Sequence, residues 1–156
     1  MNELVKQVEQ WAIDRNLHTA QPIKQYDKLI EEFGELVQGL NKNNIELIKD
    51  SIGDMYVVLV VMFTQLELDL PIQDNVNTTT DTVSYITNLS EIGKALEKGN
   101  NLLVKISVDG LLKKMKLTCI EKQIGFEECV QIAYNEIRHR KGRMVNGVFV
   151  KESDMK

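Results

Sequence analysis

The sequence predicts an all-α fold: a helical bundle with antiparallel helices and a short C-terminal β-hairpin, built to oligomerise. Three observations carry this expectation. Apolar residues recur at helical spacing along most of the chain, short Asn- or Gly-containing breaks separate those stretches, and the period changes only after Gly142. A length of 156 residues suits one domain over residues 1–156, with a basic hairpin tail from about residue 141.

The first stretch places Leu4, Val8, Trp11 and Ala12 at helical spacing and ends near Asn16. Pro22 stands where a second helix can begin, because a first turn does not need its missing N–H. From Ile23 the series Leu29, Ile30, Phe33, Leu36, Val37 and Leu40 is helical, and residues 41–44 break it. A third helix is predicted over residues 45–67. Its second half, residues 55–63, is apolar on every side and by itself would also suit a buried strand. The pattern continues backward through Ile52, Ile48 and Ile45 with no breaker but Gly53, which favours helix. Leu70-Pro71 closes it, and a polar loop rich in Asn and Thr spans about residues 73–82. Two more helices are expected near residues 83–98 and 102–117, parted by Gly99-Asn100-Asn101. The last covers about residues 126–140, with Phe126, Cys129, Val130, Ala133 and Ile137 as its inner stripe. Beyond it, two short apolar pieces flank Asn146-Gly147, a strong hairpin signal.

Composition narrows the function classes. With 43% hydrophobic and 27% charged residues the chain is globular rather than disordered. A net charge of -4 argues against a general nucleic-acid binder, which needs clustered basic surface. Cys119 and Cys129 have neither CxxC spacing nor a nearby His, and read as buried free thiols in a reducing compartment. The N-terminus has no apolar signal segment, and the run 55–63 is about half the length of a membrane span. No membrane partner and a cytoplasmic location are the expectations.

The acids carry the chemistry. Glu31, Glu32 and Glu35 share an arc of roughly 100° on their helix, and the same arithmetic places them opposite the Leu29, Phe33, Leu36 and Leu40 stripe. On that helix alone, a solvated acidic face accounts for them. Asp50 and Asp54 are harder to dismiss. Their i, i+4 face continues as Val57, Val58 and Val61, so two acids lead into a helix buried all round. Burying an unpaired carboxylate costs several kcal/mol unless a cation or hydrogen bonds compensate. Magnesium suits the role, because it takes carboxylate oxygens and keeps positions open for phosphate. Two helices joined by a short turn are antiparallel neighbours and can bring the clusters together. Gly34 and Gly53 immediately precede Glu35 and Asp54, and each costs a helix interior about 1 kcal/mol relative to Ala. Either a close backbone approach near the site or a plain helix crossing accounts for them; the matched pair favours the site.

KLIEEFGELVQGL at residues 28–40, followed by IKDSIGDMYVVLV at residues 48–60, resembles the MazG-like nucleotide pyrophosphohydrolases, the all-α group that also includes dimeric dUTPases. That family is marked by EExxE on one helix and ExxD on the next. The resemblance is good over residues 11–63 and weaker over 69–122, and YNEIRHRKGRMVNGVFVKE looks like the C-terminal end of phage-type members. It implies a homodimer or homotetramer that hydrolyses a nucleoside triphosphate to the monophosphate and pyrophosphate, with attack near the α–β linkage. Its cofactor would be Mg²⁺, with Mn²⁺ as a substitute.

Residue by residue, Glu32 and Glu35 match the metal-binding acids of the first motif and Glu31 its extra glutamate, assigned here as the base that orients water. Asp54 matches the acid closing the second motif. Ser51 stands where the family carries Glu, and Asp50, on the same side of the helix, is the replacement ligand; this leaves the number of metal ions open. Asn135, Arg138 and Lys141, spaced for one face of the last helix, resemble phosphate and sugar contacts, with Arg140 and Arg143 adding charge nearby. Favourable charge at a helix C-terminus explains them equally well. Lys28 is a phosphate contact or an ion-pair partner of Glu32, and Trp11 a base-stacking ring or a core residue.

Rival readings remain open. A di-iron carboxylate bundle needs two Glu-x-x-His motifs; Glu136 and His139 supply one, while His18 has Arg15 three residues before it. A base-specific relative such as a dUTPase, or a non-catalytic helical interaction module, is the alternative function.

Overall fold

The structure, a computed structural model, describes residues 1–71, 78–146 and 148–155. Within them the chain forms α1 (Asn2–Asp14), α2 (Pro22–Lys42), α3 (Ile45–Gln65), α4 (Thr82–Glu97), α5 (Asn101–Lys122) and α6 (Phe126–Ile137). An antiparallel pair follows, β1 (Gly142–Val145) and β2 (Val148–Lys151). The all-α bundle with a C-terminal hairpin is therefore observed as the periodicity predicts.

The central helix is α3. Helices α2 and α6 lie along it, α1 and a short 3₁₀ turn at Leu17–Thr19 cover another side, and α5 touches it. Every residue from Met55 to Phe63 is buried within the single chain. This stretch, apolar on every side, is thus covered by α1, α2, α5 and α6 of the same chain. Helices α4 and α5 pack on each other, and α4 reaches α2, where the absent side chain of Gly93 leaves room for the Tyr26 ring. Cys119 and Cys129 are buried free thiols, as expected.

Both tight helical turns use one device. Asn43 adopts a left-handed conformation (φ 48°) and Asn44 caps α3 by accepting from the Leu47 N–H at 3.2 Å. Gly99 (φ 62°) and Asn100, which accepts from the Leu103 N–H at 3.0 Å, do the same before α5.

Three expectations change in detail. Thr82 belongs to α4, because Asp81 caps it by accepting from the Ser84 N–H; of the anticipated polar loop, residues 73–77 lie outside the described residues. Helix α5 runs to Lys122, where Gln123 (φ 57°) ends it. Helix α6 stops at Ile137 rather than near residue 140, so Arg138 is its C-cap and Lys141 lies beyond it. Its end carbonyls are taken by α1: Trp11 Nε1 donates to Ile137 O at 2.8 Å, and Arg15 Nη2 to Arg138 O at 3.3 Å and Arg140 O at 2.9 Å. In the hairpin, Val145 pairs with Val148, and Asn146 has a positive φ (51°); Gly147 lies outside the described residues. Among the described residues no helix is long and apolar enough to cross a membrane.

Candidate active site

A cavity of about 370 Å³ opens where α2, α3, the end of α6 and β2 meet. Its apolar lining is Val57, Val58 and Val61 of α3 with Trp11 and Leu17. Its charged lining includes Glu31, Glu32 and Asp54 together with Lys24, Lys28 and Arg140. Juxtaposition of the two acidic helices follows from the two-residue turn at Asn43-Asn44.

Glu32 is not opposite the apolar stripe, as the helical arithmetic suggested, but buried at 4% exposure. It follows Leu29 by three and precedes Leu36 by four, which sets it roughly 60° from Leu29, on the flank of the inner face. Glu31 and Glu35 do face solvent. Burial lifts the Glu32 carboxyl above the ordinary glutamate range; the Lys28 ammonium, 3.0 Å away, pulls it back, and Glu35 and Glu31 push it up again. Lys28 also bonds Glu31 at 3.0 Å, so the ion pair foreseen for this lysine forms while its side chain lines the cavity.

Asp54 is the most perturbed acid. Burial, then the charges of Glu32 and Asp50, push its carboxyl up to about 7, with Arg140 opposing them. Perturbation by burial and like charge in a cleft is a mark of functional acids. Asp50 lies half-buried one turn earlier, and neither it nor Glu35 lines the cavity; both act on its acids through their charge. Ser51 is fully buried and its hydroxyl donates to Leu47 O at 2.7 Å, so the position expected to carry Glu in MazG-like enzymes is spent inside the helix.

The paired glycines do not serve the site together. A Cβ on Gly53 would fall on the Cys129 carbonyl oxygen and lie 2.9 Å from Ala133 Cβ, so Gly53 is there for the α3–α6 crossing. A Cβ on Gly34 would meet nothing within 4 Å.

Among the proposed substrate contacts, Lys28 lines the cavity, whereas Asn135, Arg138 and Lys141 do not. Asn135 accepts from Gln131, and all three side chains are exposed. Helical spacing could not group them, since α6 ends before two of them. Arg140, Phe149 and Lys151 line the cavity instead. Strand alternation beside the Asn-Gly turn puts residues 149 and 151 on one face; which surface that face meets depends on α1, over a hundred residues away. Trp11 proves to be both core and cavity wall. Of the di-iron pair, Glu136 bonds Arg140 at 3.5 Å and His139 is exposed.

Among the described residues, no group of three or more His, Cys, Asp or Glu side chains is arranged to hold a metal ion. The donor set fits magnesium in a sparser way: two carboxylates, Glu32 and Asp54, share one cavity, and the buried negative charge around Asp54 is incompletely offset. Magnesium is commonly held by one or two carboxylates plus substrate oxygens and water.

The chain is similar to a protein of Haemophilus phage HP1 described as an uncharacterized 18.2 kDa protein in the rep-hol intergenic region, with 51% identity over 70 residues. The match spans 44% of this chain and 43% of the phage protein, so the chain covers less than half of that relative's length. No family model matches the chain, and no solved structure matches it.

Proposed function

We propose that the cavity is the active site of a magnesium-dependent nucleoside-triphosphate pyrophosphohydrolase that releases the nucleoside monophosphate and pyrophosphate. The observation that carries this reading is the buried Asp54 carboxyl, raised by burial and by the charges of Glu32 and Asp50, in a cavity that also has cations and apolar side chains in its lining. An acid cluster that the protein neutralises only in part, beside lysine and arginine, suits a cation together with an anionic ligand. Glu32 and Asp54 would hold Mg²⁺, with Mn²⁺ as a substitute. When bound, the ion supplies charge neutralisation for the triphosphate and lowers the pKa of a nearby water.

The chain's own residues supply the rest. Glu31, exposed at the cavity, orients the attacking water and accepts its proton. Lys28 and Arg140 offset phosphate charge, and Lys28 exchanges its bonds to Glu31 and Glu32 for phosphate oxygens as substrate enters. Attack near the α–β linkage rests on the resemblance to MazG-like enzymes, as does assembly into a dimer or tetramer. For the latter, Val83, Ile86, Leu102 and Ile106 provide exposed apolar side chains on α4 and α5.

The test is a panel of standard and modified NTPs and dNTPs, incubated with purified protein and Mg²⁺ and assayed for pyrophosphate. Release from at least one substrate is expected. No release from any, with thermal stability unmoved by Mg²⁺, would leave the second reading, a non-catalytic helical module. That reading is favoured by the lack, among the described residues, of a ready three-acid metal group.

A further inference from the structure

Strand β2 sends two alternate side chains, Phe149 and Lys151, to the cavity wall. The hairpin is anchored from the opposite side of the chain. The Phe149 ring meets Trp11 edge-on at 6.1 Å and lies so close over Gly142 that a Cβ there would be 2.6 Å from the ring. The chain leading into it is gripped at the Arg140 carbonyl by Arg15, and the chain leaving it by the Glu152 N–H, which donates to Lys141 O at 2.9 Å. None of these contacts uses the Lys151 ammonium.

The other cations of the cavity all have carboxylate partners. Lys24 pairs with Asp27 at 3.8 Å, Lys28 with Glu31 and Glu32, and Arg140 with Glu136 at 3.5 Å. Lys151 is exposed and, among the described residues, forms no ion pair although four acids line the same cavity. Among the described residues its ammonium is held by neither an ion pair nor a side-chain hydrogen bond. Phe149, half-buried, lines the cavity beside Trp11.

We propose that the C-terminal hairpin is a wall of the substrate site: Lys151 takes phosphate oxygens of a nucleoside triphosphate, and Phe149 lies against its base. This deepens the functional reading above and rests on it. An ammonium on a flexible stem binds phosphate as a point charge, and an aromatic ring offers a sequence-tolerant surface to a nucleobase. The two residues divide the substrate between them.

Trp11 is the single tryptophan and lines the cavity, so its fluorescence reports occupancy without turnover. The full chain is titrated with α,β-methylene analogues of the nucleoside triphosphates and with the free nucleosides, and inorganic tripolyphosphate is used to displace the analogue. Lys151→Gln is expected to weaken the analogue and tripolyphosphate by about tenfold and spare the nucleoside. Phe149→Leu is expected to weaken the analogue and nucleoside by about tenfold and spare tripolyphosphate. This crosswise pattern is one that general misfolding does not give. Equal loss of all three ligands in both variants, or wild-type binding in both, overturns the hairpin's role while pyrophosphate release by the wild type leaves the enzyme reading standing. A wild type that binds no analogue and releases no pyrophosphate overturns both.

Discussion

Helix pairs α2–α3 and α4–α5 turn by the same Asn-capped, left-handed device, yet they bury different chemistry. Inside the second pair the polar groups are uncharged hydroxyls or reach a protein partner; the Ser107 hydroxyl on α5 is the buried one left without a partner among the described residues. Tyr85 and Thr118 share a hydrogen bond at 2.7 Å, and Lys114 Nζ donates to Thr78 Oγ1 at 2.7 Å. In the first pair the inward groups are acids of like charge, and Lys28 with Arg140 offsets only part of them. A hydroxyl pair that closes on itself serves folding, because its hydrogen-bonding capacity is met without any ligand. Carboxylates crowded together at a cavity cost stability. What the fold does not compensate, a bound cation and its substrate can.

The comparison is broken most severely by removing an inward acid. Glu32→Gln and Asp54→Asn are each expected to cut pyrophosphate release by about 100-fold or more, the scale on which positioned carboxylates contribute. Thr118→Val, inside the second pair, is expected to leave turnover at the wild-type level. Steady-state assays of all three, with circular dichroism to confirm folding, decide the point.

Next in size is a pH effect on the metal-free protein. The Asp54 carboxyl titrates near 7 when folded and at about 3.9 in an unfolded chain. Its contribution to stability is present in full below about 4 and lost as pH rises to about 7, since the unfolded chain gives up that proton first. Asp54→Asn has no such proton. In chelator, its stability relative to wild type is expected to grow between pH 4 and 7.5 by an amount on the order of 3 kcal/mol. Urea melts at the two pH values measure this; a pH-independent difference would show that Asp54 is not crowded.

Gly53→Ala probes the frame that holds Asp54 in place. Its Cβ would strike the Cys129 carbonyl, and overpacking of this kind costs about 1–3 kcal/mol. The matching change at the open position, Gly34→Ala, is expected to stabilise by about 1 kcal/mol or less. Thermal melts of the two variants should move in opposite directions. Thr118→Val is expected to have an effect of similar size, a loss of about 1 kcal/mol from the broken Tyr85 bond.

These regions also differ in how far the sequence reveals them. Period and breakers were enough for all six helices and the hairpin, because each depends on local spacing and on Asn, Gly and Pro. The Asp50–Asp54 face was legible too, since its continuation through Val57, Val58 and Val61 does line the cavity. Glu32 was misplaced as outward-facing, although its offsets from Leu29 and Leu36 mark it as a flank position. Ser51 and Gly53 needed the structure: one bonds back to Leu47, and the other admits the α6 backbone. The cavity's basic and aromatic wall was hidden for a different reason. Arg140, Phe149 and Lys151 reach it through α1, by the Arg15 and Trp11 contacts, and no local period encodes a meeting between the two ends of a chain.

Glu32 and Asp54 are the residues proposed to hold a divalent cation beside a nucleotide. Electron paramagnetic resonance of Mn²⁺, titrated into the protein with an α,β-methylene nucleoside triphosphate, tests that role most directly. Wild type should bind the ion in the ternary complex, and Glu32→Gln and Asp54→Asn should each lose that signal while Thr118→Val keeps it. Mn²⁺ binding of equal strength in all four proteins would contradict the account.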